Sequence, residues 1–106
     1  MPTKLVVNKY VDCSTVHITP ADAKLLESGM LEHVVSYSLE GYGFFIYLSD
    51  EETVESINKD GFSKEFVELY VNARFTGATH LRLDCDGPEY EGRTTFEHIW
   101  KEENVD

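Results

Sequence analysis

The run Phe44-Phe45-Ile46-Tyr47-Leu48 is the tightest constraint on how this chain can fold. An unbroken apolar and aromatic segment leaves no side for water. It therefore reads as a strand covered on both faces and central in a sheet. Gly41-Tyr42-Gly43 before it is turn-like, and residues 33–39 alternate loosely, so a hairpin is expected between the two segments. Further on, His80-Leu81-Arg82-Leu83-Asp84-Cys85 alternates strictly. Leu81, Leu83 and Cys85 share one side, the pattern of a half-exposed strand.

Helices fill the intervals. Thr19-Pro20-Ala21-Asp22 is a well-formed helix start, with a capping hydroxyl, proline in the first turn and an acid near the positive dipole end. Leu25 and Leu26 supply its apolar stripe, and Gly29 is its stop. Ser49-Asp50-Glu51-Glu52 has the form of a capping box, so a second helix is expected from Ser49, with Val54 and Ile57 turned inward. Ser63 caps a third, in which Phe66, Leu69, Tyr70 and Ala73 keep the spacing of one buried face up to Gly77. Residues 5–11 read as a first strand that 14–18 extend or restart. Residues 94–100 read as a last strand with Phe96, His98 and Trp100 on one side, and the acidic tail 102–106 is expected to fray. The order β-α-β-β-α-α-β-β predicts an α+β fold: a mainly antiparallel sheet of about five strands with two to three helices on one face. Its length of 106 residues fits a single domain over residues 1–106.

Charge narrows the function. Twenty acids against nine Lys and Arg leave a formal charge of -11. Direct binding to DNA, RNA or an anionic membrane is disfavoured, because those surfaces recruit clustered cations. No apolar stretch reaches the length of a membrane span, and Met1-Pro2-Thr3-Lys4 lacks the form of a signal peptide. Cys13 and Cys85 stand far apart with no CxxC pair, which suits a cytoplasmic chain with reduced thiols. The acidic stretch from Asp84 to Glu91 fails the EF-hand template, since Pro88 and Glu89 occupy the positions of the third acid and the glycine. The cysteines and histidines do not form the paired clusters of a zinc site. No nucleophile elbow or phosphate-cradling loop is present, so neither enzyme activity, a metal nor a cofactor is expected.

The acids themselves come in groups. Asp50, Glu51, Glu52 and Glu55 lie at or near one helix start, and Glu65 and Glu68 lie along the next helix. Asp84, Asp86, Glu89 and Glu91 share one turn. Carboxylates fixed on a folded surface can imitate the phosphates of a duplex and draw in a basic groove over long range. Self-repulsion from such an imbalance lowers stability, so a return beyond solubility is expected.

Ser14-Thr15-Val16-His17-Ile18-Thr19, Gly43-Phe44-Phe45-Ile46-Tyr47 and Leu81-Arg82-Leu83-Asp84-Cys85-Asp86-Gly87-Pro88 carry a resemblance. The chain resembles a family of small uncharacterised acidic domains found on bacterial plasmids, phages and integrative elements. By type it is similar to DNA-mimicking anti-CRISPR and anti-restriction proteins. The resemblance implies a counter-defence role. The expected partner is a basic nucleic-acid-binding protein, such as a CRISPR effector subunit or a restriction enzyme. The expected contact residues are Asp50, Glu51, Glu52, Glu55, Asp84, Asp86, Glu89 and Glu91. The alternative is a protein-interaction module that uses the aromatics Tyr42, Tyr90 and Trp100, without mimicry.

Overall fold

The structure, a computed structural model, describes residues 5–103; the Met1 start and the end of the acidic tail, residues 104–106, lie outside the described residues. Strand β1 (Tyr10–Ser14) passes through a single 3₁₀ turn (Thr15–His17) into helix α1 (Pro20–Ser28). Strands β2 (Val35–Ser38) and β3 (Gly43–Tyr47) form a hairpin. Helices α2 (Val54–Lys59) and α3 (Lys64–Phe75), strand β4 (His80–Asp84) and helix α4 (Glu97–Glu103) complete the order.

The fold is α+β, with a four-stranded mixed sheet in the order β1-β4-β3-β2. Two of its three pairings are antiparallel, in line with the expected mainly antiparallel sheet, but there are four strands rather than about five and one edge is parallel. β4 runs antiparallel to β3 but parallel to β1. The whole stretch from α1 to α3 acts as a crossover, which returns the chain beside β1 in the same direction. Alternation in β4 reveals its faces and says nothing about its neighbours.

Three of the expected boundaries also move. The first strand begins at Tyr10 rather than residue 5, and 15–17 turn instead of extending it. Residues 94–100 are not a strand: Phe96, Ile99 and Trp100 stand at i, i+3 and i+4, and α4 begins at Glu97. Ile99 N and Trp100 N both bond Phe96 O, at 2.9 and 3.0 Å. Phe96 and Trp100 fit either period, but Ile99 joins them on one side only in the helix. The second helix starts four residues later than expected. Thr53 is its cap, in a reciprocal box with Ser56, while Ser49 Oγ receives only Glu51 N. Val54 therefore faces solvent, and Ile57 alone of the expected pair is buried.

Leu81, Leu83, Phe44, Ile46 and Cys13 form the helix-facing side of the sheet and meet Leu26, Ile57, Phe66, Leu69 and Tyr70. Cys85 lies past the end of β4 and is exposed, not on that face. β3 is interior to the sheet as expected, yet only one of its faces is closed. The registers Tyr10↔His80↔Tyr47↔Val35 and Asp12↔Arg82↔Phe45↔Tyr37 place these residues on the opposite side, which no helix among the described residues covers. Phe45 stacks on His80 with centroids 4.7 Å apart and meets Tyr10 edge-on.

Candidate functional site

The acids chosen from sequence fall into two places, at opposite ends of the sheet. Gly43 pairs with Asp84 at one end of β3, and Tyr47 pairs with His80 at the other. Asp50, Glu51, Glu52 and Glu55 follow the Tyr47 end, whereas Asp86, Glu89 and Glu91 follow Asp84. Six of the eight are exposed; Glu52 and Asp84 are half-buried.

Helix α3 holds the first group in place. Arg74 Nη1 donates to Ser49 O at 2.7 Å and to Glu52 O at 2.6 Å. The Tyr70 hydroxyl accepts Ser49 N at 2.9 Å and donates to Tyr47 O at 3.3 Å. Burial pushes the Tyr70 hydroxyl above its usual pKa, which keeps it a donor. The Glu52 carboxylate sits 3.1 Å from His33 Nδ1, so it is partly committed within the molecule. Asp50 and Glu51 are left facing solvent on a clamped loop, and Glu55 faces solvent from the first turn of α2. Neither Arg74 nor Tyr70 was selected from sequence as part of a site, because their work depends on contacts across more than twenty residues.

The second group rides on a loop pinned at several points. Ser14 N donates to Pro88 O at 2.9 Å. His17, buried, lies 2.9 Å from Thr94 O through Nδ1 and receives Tyr90 N at Nε2, 2.8 Å away. A backbone carbonyl can only accept and a backbone N–H can only donate. His17 is thus neutral, with its proton on Nδ1. The Tyr90 hydroxyl donates to Asp12 O. Asp84 receives Arg82 Nη2 at 2.6 Å and Asp86 N at 2.8 Å. Ligand atoms of Asp84, Cys85 and Asp86 lie within 4.8 Å of one another. Those two bonds engage one lone pair on each oxygen of Asp84, so this carboxylate is shared with Arg82 and the turn backbone.

Helix α3 lies between the groups. Glu65 and Glu68 line a cleft of about 340 Å³ together with His17, Glu91 and Arg93. Glu68 and Asn72 also line the next hollow, shared with Val54 and Asn58 of α2. Carboxylates from the 84–91 loop and α3 thus border one cleft, and α3 carries the border on toward α2. The residues missing from the sequence-based selection are Glu65 and Glu68. Their i, i+3 spacing on the polar side of an otherwise apolar helix was the available signal.

The aromatics differ in availability. Tyr42 is 64% exposed at the hairpin tip. Trp100 packs on the core and donates its ring N–H to Ile18 O at 2.9 Å. Tyr90 spends its hydroxyl on β1.

Among the described residues, no helix is long and apolar enough to cross a membrane. An α+β domain with a four-stranded mixed sheet and a pinned acidic loop is thus defined by the fold. Residues 10–98 match DUF5983, described as the C-terminal domain of a family of unknown function, and the chain belongs to that family. No curated protein and no solved structure matches it.

Proposed function

We propose that this chain is a non-enzymatic inhibitor of mobile-element origin, of the anti-CRISPR or anti-restriction type, acting in the cytoplasm of a bacterial host. It occupies the DNA-binding surface of a basic partner, a CRISPR effector subunit or a restriction enzyme, and binds no nucleic acid itself. The observation that carries the reading is α3. Its Glu65 and Glu68 border one cleft with Glu91, between the acidic turn and the acidic start of α2. Carboxylates carried on a helix and a pinned loop attract Arg and Lys, and bidentate Arg pairs are the strongest contacts available to them. Asp50, Glu51, Glu55, Asp86 and Glu89 extend the same field, while Glu52 and Asp84 contribute from positions already shared with His33 and Arg82.

The test is protection of phage or plasmid DNA in cells that carry a restriction or CRISPR system. Expression of the chain should raise infection or transformation, and the triple reversal Glu65→Lys, Glu68→Lys, Glu91→Lys should abolish the gain. Captured partner should be released as salt screens the contact, over a Debye length of about 8 Å near 0.15 M. Protection that survives the triple reversal would remove the mimicry reading. The competing reading, recognition led by aromatics, draws on the exposure of Tyr42, and predicts loss on Tyr42→Ala with little response to salt.

A further inference from the structure

The sheet face turned away from the helices and the segment ahead of β1 share an unfinished character. On the face, Tyr10, Tyr47, Val35 and Tyr37 are each exposed by 45 to 60%. They surround the Phe45–His80 stack. Of the charges beside them, Arg82 is paired with Asp84, which leaves the Asp12 carboxylate, one oxygen of it buried without a hydrogen bond, as the surplus charge of the face. Ahead of β1, Leu5, Val6 and Val7 are 77 to 86% exposed, so none of them is packed against the described residues. Single exposed apolar residues are ordinary, but three in succession beside an open aromatic face are not.

We propose that the occupant of this face is the 5–8 arm of a second copy of the chain, exchanged reciprocally about a two-fold axis. Length agrees: residues 5–8, ahead of the anchored Lys9, span about 13 Å when extended, most of the run of the five-residue strands β3 and β4. Charge agrees as well. Residues 1–11 contain two lysines and no acid, so this part of a chain with charge -11 can approach a second copy without like-charge repulsion. Sequence agrees, because Leu and Val in succession suit an added strand or a strand laid over aromatic rings. The backbone edge is open to it too. Along the outer edge of β1, Asp12 O and Ser14 N are taken by the 88–90 loop, while Tyr10 lies beyond that cover; Lys9 ahead of it is tied through its backbone to Thr79 and His80 and anchors the arm. About twelve residues from each copy would take part, roughly half of a standard interface, so the dimer is expected to be weak and concentration-dependent. A two-fold contact of this kind is isologous and closes at the dimer.

The experiment is sedimentation velocity on the full chain from about 1 to about 200 µM, at ordinary salt and at about 0.5 M. The wild type should shift from monomer to dimer across that range and should keep doing so at high salt, because the contact is apolar. Val6→Asp with Val7→Asp, and separately Tyr47→Asp, should each remain monomeric with an unchanged circular-dichroism spectrum. In a mixture of isotope-labelled and unlabelled wild-type chains, intermolecular NOEs should join Val6 or Val7 methyls to the Phe45 or Tyr47 rings. This measurement requires no variant to fold. A wild type that stays monomeric throughout, an arm variant that still dimerises, or a dimer lacking those NOEs would each overturn the proposal. Its outcome is independent of the inhibitor reading, which rests on the helical side of the molecule and predicts loss of binding in salt.

Discussion

The carboxylate of Asp22 accepts hydrogen bonds from Thr19 N at 3.1 Å, Ser63 N at 2.8 Å and Ser63 Oγ at 2.6 Å. One buried side chain therefore completes the capping box of α1 and ties that helix to the start of α3, forty-one residues away. The Thr19 half of this arrangement is legible in the sequence and the Ser63 half is not. His17 does comparable work for the acidic loop by engaging both ring nitrogens. Cys13 carries a consequence for pH. Burial, the largest influence, pushes its thiol from 9.0 up to about 11. Both folded and unfolded thiols are protonated below pH 9. Between 9 and 11 the unfolded chain gives up this proton while the folded chain retains it, so stability falls as pH rises through that window. The buried Tyr70 hydroxyl is also raised and acts in the same direction. The thermal midpoint should be several degrees lower at about pH 10.5 than at about pH 8, and Cys13→Ala should reduce the difference. A midpoint equal at the two pH values would contradict the assignment.

At the scale of elements, Gly43 shows how closely the hairpin is fitted to β4. Its φ is 152°, and a Cβ placed there would lie 1.7 Å from Leu83 O, a backbone atom that cannot swing aside. Gly43→Ala should therefore cost about 3 kcal/mol or more, seen as a large fall in the urea midpoint, or prevent folding. Gly41→Ala, where nothing lies within 4 Å, should cost about 1 kcal/mol from its positive φ alone. Equal effects at the two positions would refute the steric account. The sequence marked both glycines as one turn, and only the approach of β4 separates their roles. The helices α1 and α3 were readable because caps, stripes and stops agreed over nine and twelve residues. Helix α4 was misread because a seven-residue element carries too few turns to separate a period of two from one of 3.6. Helix α2 was placed too early because two hydroxyls, Ser49 and Thr53, offered equivalent starts.

For the molecule as a whole, a charge of -11 on a chain of this size means that folding gathers like charges together. Salt should raise the thermal midpoint by a few degrees between about 10 and about 200 mM, where the Debye length shrinks from about 30 to less than 10 Å. A midpoint insensitive to salt would mean that the acids are compensated locally, which would also weaken the case for a long-range field. Sequence by itself determined the α+β class, the hairpin, the two long helices and the existence of separate acidic groups. Each of these rests on local periodicity, capping chemistry or composition. Tertiary structure alone decided that β1 and β4 run parallel, that one side of the sheet stays open, and that Glu65 and Glu68 stand between the two acidic ends. Those facts depend on which distant segments share a neighbour. The pairing energy of a strand lies in its partner, and the same alternation of side chains fits a parallel neighbour as well as an antiparallel one.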